Sequence, residues 1–225
     1  MTGATLAALG FDGRAALTRL LEASEYQSVG QAVASLTLFA HPETVRQTGG
    51  AALFPVVRSV GSADRHTYLE RNGRKLRLDD NAAPTAVFDW CHGLKRAKAR
   101  DLQLNHIYSR RDDPESFTAL PNLCRTPAFM AKLTDNDAQT HALLKRRSFE
   151  LYGWRPAGEP IPAEPPDYGA LEWADPLDPV DNVERVLRGL MLRRLRSFCA
   201  VTARDIGWHY SNGAPDPAFA LRIEP

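Results

Sequence analysis

Residues 104–133 read LNHIYSRRDDPESFTALPNLCRTPAFMAKL, and the main fold prediction depends on this stretch. The run 102–108 alternates apolar and polar residues, which predicts a β-strand. A polar loop follows the strand, and Asn122 then stands after a proline, where asparagine commonly hydrogen-bonds the backbone of a turn. Residues 127–135 predict a short helix. The order strand, loop, turn, helix therefore predicts a ββα unit.

Two motifs in this stretch resemble the HNH (ββα-metal) endonuclease family. LNHI stands where the family has an acidic residue or a histidine, then histidine, then an apolar residue, and PNL stands at its central Asn-Leu. The match covers residues 102–135 of the 225-residue chain. The resemblance implies that His106 is the general base, that Asn122 organises the catalytic loop, and that Asn105 binds a divalent metal, Mg²⁺ or Mn²⁺.

The metal-ligand set that this resemblance implies is incomplete. Asn105 stands where the family has a charged or imidazole ligand, and an amide is a poorer ligand for a hard cation than a carboxylate. Met130 and Ala131 occupy the helix position of the last ligand. We therefore predict that Asp135 completes the site. Other oxygen donors lie nearby in the loop and after the helix: Asp112, Asp113, Glu115, Asn136 and Asp137.

Basic residues cluster around the predicted unit. Residues 92–147 contain eleven Lys or Arg and six Asp or Glu, in a chain whose net charge is +1. Such a local excess suits phosphate contacts, because each neutralised phosphate releases counterions, although basic residues also serve solubility. We predict that six of them bind nucleic acid: Lys95, Lys98, Arg110, Arg111, Arg125 and Lys132.

The remaining sequence predicts an α+β fold around the central HNH-like ββα unit. Residues 66–78 form two alternating runs around Asn-Gly, which is typical of a β-hairpin with a type I′ turn. Residues 136–154 predict a helix that ends near Gly153, and residues 181–208 predict one long amphipathic helix. Seven prolines in residues 156–179 indicate an extended connection packed on the surface.

We divide the chain into three predicted regions. Residues 1–100 form an N-terminal α+β region of helices and the hairpin, packed on the core. Residues 101–155 contain the HNH-like unit and the helix that follows. Residues 156–225 contain the proline-rich connection and the C-terminal amphipathic helix, which we expect to form a homodimer through residues 181–200.

Composition places the chain among globular proteins, with 44% hydrophobic and 24% charged residues. No window approaches the length of apolar sequence that spans a bilayer, so no membrane partner is expected. The three cysteines form no CxxC pair and suggest neither a disulfide framework nor a zinc knuckle. The first residues do not resemble a signal peptide, and we expect a cytoplasmic location.

Three functions remain open from the sequence. The first is a metal-dependent DNA endonuclease of HNH-like type, from a bacterial defence system or a mobile element. The second is a catalytically inactive nucleic-acid-binding protein or regulator that retains the ββα scaffold. The third is an interaction protein that oligomerises through residues 181–200, with a purely structural Asn-His corner.

Overall fold

The computed structural model describes residue 8, residues 10–94 and residues 101–206. Its elements give an α+β protein, as the sequence predicts. The α-helices of this part of the chain are α1 (Gly13–Glu22), α2 (Val29–Leu36), α3 (Pro42–Gln47), α4 (Ala82–Cys91), α5 (Leu133–Asn136), α6 (Ala138–Tyr152), α7 (Val183–Arg193) and α8 (Phe198–Ile206). The strands are β1 (Leu38–Phe39), β2 (Val56–Arg58), β3 (Tyr68–Arg71), β4 (Arg74–Asp79), β5 (Leu102–His106) and β6 (Leu123–Pro127).

The first sheet is antiparallel and has the strand order β1-β6-β5. The strand predicted at 102–108 is confirmed as β5, and its partner β6 begins directly after Asn122. In their register Asn105 faces Cys124 and His106 faces Leu123. The polar loop therefore leaves the sheet after His106 and returns to it beside the same residue.

The helix predicted at 127–135 is only partly right. Strand β6 continues to Pro127, a 3₁₀ turn covers Ala128–Met130, and α5 supplies only four residues. The helix stops because Asp137 leaves the helical conformation and caps α6 instead, accepting hydrogen bonds from the Thr140 amide and hydroxyl, both at 2.8 Å. Asp137 thus separates α5 from α6.

The second sheet has the strand order β2-β4-β3. The hairpin predicted around Asn72 and Gly73 is confirmed, since φ is 53° at Asn72 and 72° at Gly73, as a type I′ turn requires. Strand β2 runs parallel to β4. The backbone amide of Arg58 in β2 donates to the carbonyl of Arg111 at 2.9 Å, which attaches this sheet to the polar loop after β5.

The prediction of a single helix at 181–208 is wrong, because α7 and α8 are separate helices. Arg194 leaves the helical conformation at φ −133° and ψ 51°, and the Ser197 amide bonds back to its carbonyl at 2.7 Å. The break turns α8 so that Cys199 and Ala203 reach the same core that the apolar stripe of α7 contacts. This stripe is buried within its own chain: Val183, Leu187 and Met191.

The proline-rich connection is extended and packed, as predicted. Its backbone is hydrogen-bonded to the first half of the chain. The Ala174 amide donates to the Ala34 carbonyl at 3.0 Å, and the Leu177 amide donates to the Phe39 carbonyl at 2.9 Å. The Trp173 ring meets the Phe39 ring edge-on at 5.9 Å.

The main core contains side chains from all three predicted regions, including Phe54, Leu104 and Leu187. Among the residues placed by the structure, no helix has the length and apolar character needed to cross a membrane.

Candidate functional site

A cavity of about 370 Å³ lies beside β5, between the two sheets. Loop residues after β5, the end of β2 and the start of α5 form its other walls. Six of the ten site residues predicted from the sequence line it: Asn105, His106, Arg110, Arg111, Lys132 and Asp135. The fold therefore brings the predicted base, both predicted metal ligands and three predicted cations to one place.

His106 is partly buried and held in one orientation by Phe117. Its Nε2 lies 3.0 Å from the Phe117 carbonyl oxygen, and the two rings stack with centroids 4.9 Å apart and planes at 14°. A carbonyl oxygen only accepts hydrogen bonds, so Nε2 carries the proton and Nδ1 is the basic nitrogen of the neutral ring. Nδ1 makes no hydrogen bond to any residue that the structure describes.

Burial lowers the pKa of His106, the charge of Arg58 adds to this effect and the bond to Phe117 opposes it, so that the resulting pKa is about 4. The imidazole is consequently neutral at pH 7 and has a free lone pair. A neutral, oriented imidazole on a cavity wall can accept a proton from water. It can do so because nothing in the described structure occupies Nδ1.

Asn122 does not line the cavity; its side chain holds together the polar loop between β5 and β6. Its side chain is fully buried, and its Oδ1 accepts from the Tyr108 amide at 2.7 Å. Its Nδ2 donates to the carbonyls of Tyr108 and Ser116, at 3.3 and 2.9 Å. One amide thus joins the start of the loop to its end, and this fixes the Phe117 carbonyl that orients His106.

Asn105 presents an amide oxygen that no residue of the described structure uses. Its Nδ2 donates to the Thr126 hydroxyl at 2.8 Å and to the Gln103 carbonyl at 3.1 Å. These two bonds define the orientation of the amide, which is 5% exposed. The Oδ1 atom remains available as an oxygen ligand on the cavity wall.

Asp135 is the carboxylate of the cavity, and it pairs with Lys132 at 3.2 Å. Within residues 10–94 and 101–206, no group of three His, Cys, Asp or Glu side chains is placed to hold a metal ion. Two other predicted donors have structural partners. Asp113 accepts from the Ser116 hydroxyl and from the Glu115 amide, and Asp137 caps α6.

The predicted cations divide into two groups. Arg110 pairs with Glu159 and Arg111 lies 4.0 Å from Asp112, both on the cavity wall. Arg125 instead forms an ion pair with buried Asp89 and is itself only 14% exposed, so it supports the core beneath the sheet. Lys95 and Lys98 lie outside the described residues.

Among the lining residues that the sequence did not predict are two polar ones from other elements, Arg58 in β2 and Asn81 before α4. Neither belongs to a motif, and both are distant in sequence from His106. Only the attachment of β2 to the polar loop brings them to this wall. A partial signal existed in the run AALFPVVRSV, where Arg58 ends an apolar strand.

Comparisons with protein-family models, with curated proteins and with solved structures gave no significant match. The resemblance carried by residues 102–135 therefore stands on those residues alone.

Proposed function

We propose that the protein is a metal-dependent endonuclease that cleaves phosphodiester bonds in DNA, with an HNH-like ββα unit formed by β5, β6 and α5. The observation that carries the proposal is the state of His106. Its Nε2–H is bound by Phe117, its Nδ1 bonds to no residue in the described ranges, and it shares a cavity with Asn105, Asp135 and several cations. A role in bacterial defence or in a mobile element stays a prediction.

In this proposal His106 activates the attacking water. Nδ1 takes one proton from the water as its oxygen bonds to phosphorus, and the bond from phosphorus to the leaving oxygen breaks. The leaving oxygen takes a proton from solvent, and the imidazolium later returns its proton to solvent. The Phe117 carbonyl stabilises the transient imidazolium through Nε2–H, 3.0 Å away.

The oxygen donors fit a magnesium-class ion bound with few protein ligands. Asn105 Oδ1 and the Asp135 carboxylate would hold it, while water and substrate phosphate would fill its other positions, as Mg²⁺ commonly requires. When bound, such an ion stabilises negative charge on the phosphate and on the leaving oxygen. Asn105 contributes by keeping its Oδ1 directed away from Thr126, to which its Nδ2 is bound.

The test is cleavage of supercoiled plasmid DNA with Mg²⁺ or Mn²⁺. Wild type should nick the plasmid, and His106→Gln should not, although glutamine can still donate to the Phe117 carbonyl and preserve the loop. The matched control is His66→Ala, which removes a 54% exposed histidine outside the cavity and should leave nicking intact. Metal-independent nicking, or equal nicking by His106→Gln, would overturn the proposal.

A second function is favoured by one observation. The described part of the chain offers no three-residue metal site. A nucleic-acid-binding protein or regulator that retains the scaffold needs only the cations of the cavity. Salt-dependent DNA binding, with no cleavage in either metal, would establish this function instead.

A further inference from the structure

Arg58 differs from the other cations of the cavity in having no carboxylate partner. Within the described structure, Arg110, Arg111 and Lys132 each lie within 4.0 Å of a carboxylate oxygen. Among the residues that the structure describes, the exposed Arg58 makes one side-chain hydrogen bond, to the neutral amide of Asn81. Its positive charge therefore faces the cavity without an ion pair to any described carboxylate.

The Asn81 side chain does not cap α4 and bonds to Arg58 instead. It occupies the N-cap position of α4, where asparagine normally accepts a hydrogen bond from the first turn, but its side chain makes none. The first-turn amides are satisfied by its neighbours: Asp80 accepts from Ala82 at 2.8 Å and Asp79 accepts from Ala83 at 2.7 Å. Asn81 Oδ1 instead accepts from Arg58 Nη1 at 2.7 Å.

The backbone of Arg58 is fixed as well. It pairs with Asp79 across the parallel strands and bonds to the Arg111 carbonyl in the polar loop. Its charge acts on the His106 imidazole, which lines the same cavity. A guanidinium held at one nitrogen, on a strand end whose backbone is hydrogen-bonded, has its other N–H groups available for a bidentate acceptor.

We propose that Arg58, oriented by Asn81, is the phosphate-binding residue of the cavity and holds a phosphodiester of the nucleic acid beside His106. Nη2 and Nε of Arg58 donate to the phosphate oxygens, because neither bonds to another described residue. The Nδ2 of Asn81 supplies a further donor at the same edge. This inference rests on the proposed function for the identity of its ligand as nucleic acid.

The experiment measures DNA binding without divalent metal, so that it is independent of cleavage. The Kd of a short fluorescent DNA duplex is measured by anisotropy in EDTA over a series of salt concentrations. Arg58→Gln should raise the Kd about tenfold, as expected for a lost charge-assisted bond, and reduce the salt slope by about 0.9. Arg19→Gln is the control, since it removes an exposed arginine of α1 outside the cavity and should leave the slope unchanged.

A second variant guards against misfolding at position 58. Asn81→Asp keeps the size of the side chain and a good N-cap residue, but it gives Arg58 a carboxylate partner. It should weaken binding as Arg58→Gln does, and Asn81→Ala should weaken it less. If Arg58 and Asn81 had purely structural roles, these substitutions would change the free energy of unfolding without changing the salt slope of DNA binding.

The outcomes separate this inference from the proposed function. Unchanged Kd and slope in Arg58→Gln and Asn81→Asp would overturn the inference, as would the failure of wild type to bind DNA in EDTA. His106-dependent cleavage could still be observed in that case. Conversely, Arg58-dependent DNA binding without any cleavage would support the inference and overturn the proposed nuclease activity.

Discussion

His106 and Phe117 are joined twice, by a stack of their rings at 4.9 Å and by a hydrogen bond of 3.0 Å from Nε2 to the Phe117 carbonyl. His106 is the last residue of β5, and Phe117 lies in the second half of the polar loop between β5 and β6. The bond fixes the tautomer, and the stack fixes the plane of the ring. The geometry of the proposed base therefore depends on the loop being closed.

The stability of the protein should depend on pH through His106. Its pKa is lowered from 6.5 to about 4 in the folded state, so the unfolded chain binds the additional proton between these values. Folding free energy contributed by the neutral imidazole is fully present above pH 6.5 and is lost as pH falls towards 4. The shift corresponds to about 3 kcal/mol at most.

Urea unfolding of wild type and His106→Gln at pH 7 and pH 4.5 measures this contribution. Other groups titrate in both proteins, so the informative quantity is the difference between them. Wild type should lose more stability than the variant on acidification. Equal losses would show that the buried imidazole is protonated in the folded protein.

Substitution of Asn122 should be among the most destabilising changes in the loop. Asn122→Ala leaves the buried Tyr108 amide without its partner, and it removes one hydrogen bond from each of the Tyr108 and Ser116 carbonyls, which also accept from backbone amides. We expect a loss of about 3 kcal/mol, because an unsatisfied buried group costs about 1–3 kcal/mol and each lost hydrogen bond about 1 kcal/mol. Chemical denaturation checks the value, and Asn136→Ala, an exposed asparagine, should change it little. A small loss at Asn122 would mean that water replaces the amide.

Local signals explain what could be predicted from the sequence. Asn72-Gly73 determines its own turn, Gly153 ends α6 in a left-handed conformation, and alternation defines β5. These features need only neighbouring residues. His106 and Asn122 were found because both lie within one short motif.

Long-range contacts explain what could not be predicted. The apolar period of residues 181–208 continues through the break at Arg194, so only packing against α4 reveals two helices. Arg58 and Asn81 reach the cavity through pairing between strands and loop that leaves no local trace. In the sequence Arg125 does not differ from the other arginines of the basic stretch, and only the fold places it beside Asp89.

Arg125 should therefore affect stability rather than nucleic-acid binding. Arg125→Met leaves the carboxylate of Asp89 buried without this partner, which typically costs about 3–5 kcal/mol. The double variant Arg125→Met with Asp89→Leu should recover much of that loss, because neither charge of this buried pair remains. Thermal unfolding measures both effects. The salt slope of DNA binding should be the same in Arg125→Met as in wild type. A reduced slope would instead show that Arg125 contributes to DNA binding.

Asn105 offers a direct test of the metal site, because its substitution by aspartate should strengthen metal binding while weakening the fold. Asn105→Asp places a carboxylate where the amide Oδ1 stands, and hard cations prefer carboxylates. It also removes the N–H donor to the Gln103 carbonyl, 3.1 Å away, at a cost of about 1–3 kcal/mol. Plasmid nicking as a function of Mg²⁺ concentration should reach half-maximum at a lower concentration than in wild type. Asp135→Asn should shift the half-maximum the other way, and an unchanged metal dependence in both variants would place the metal elsewhere.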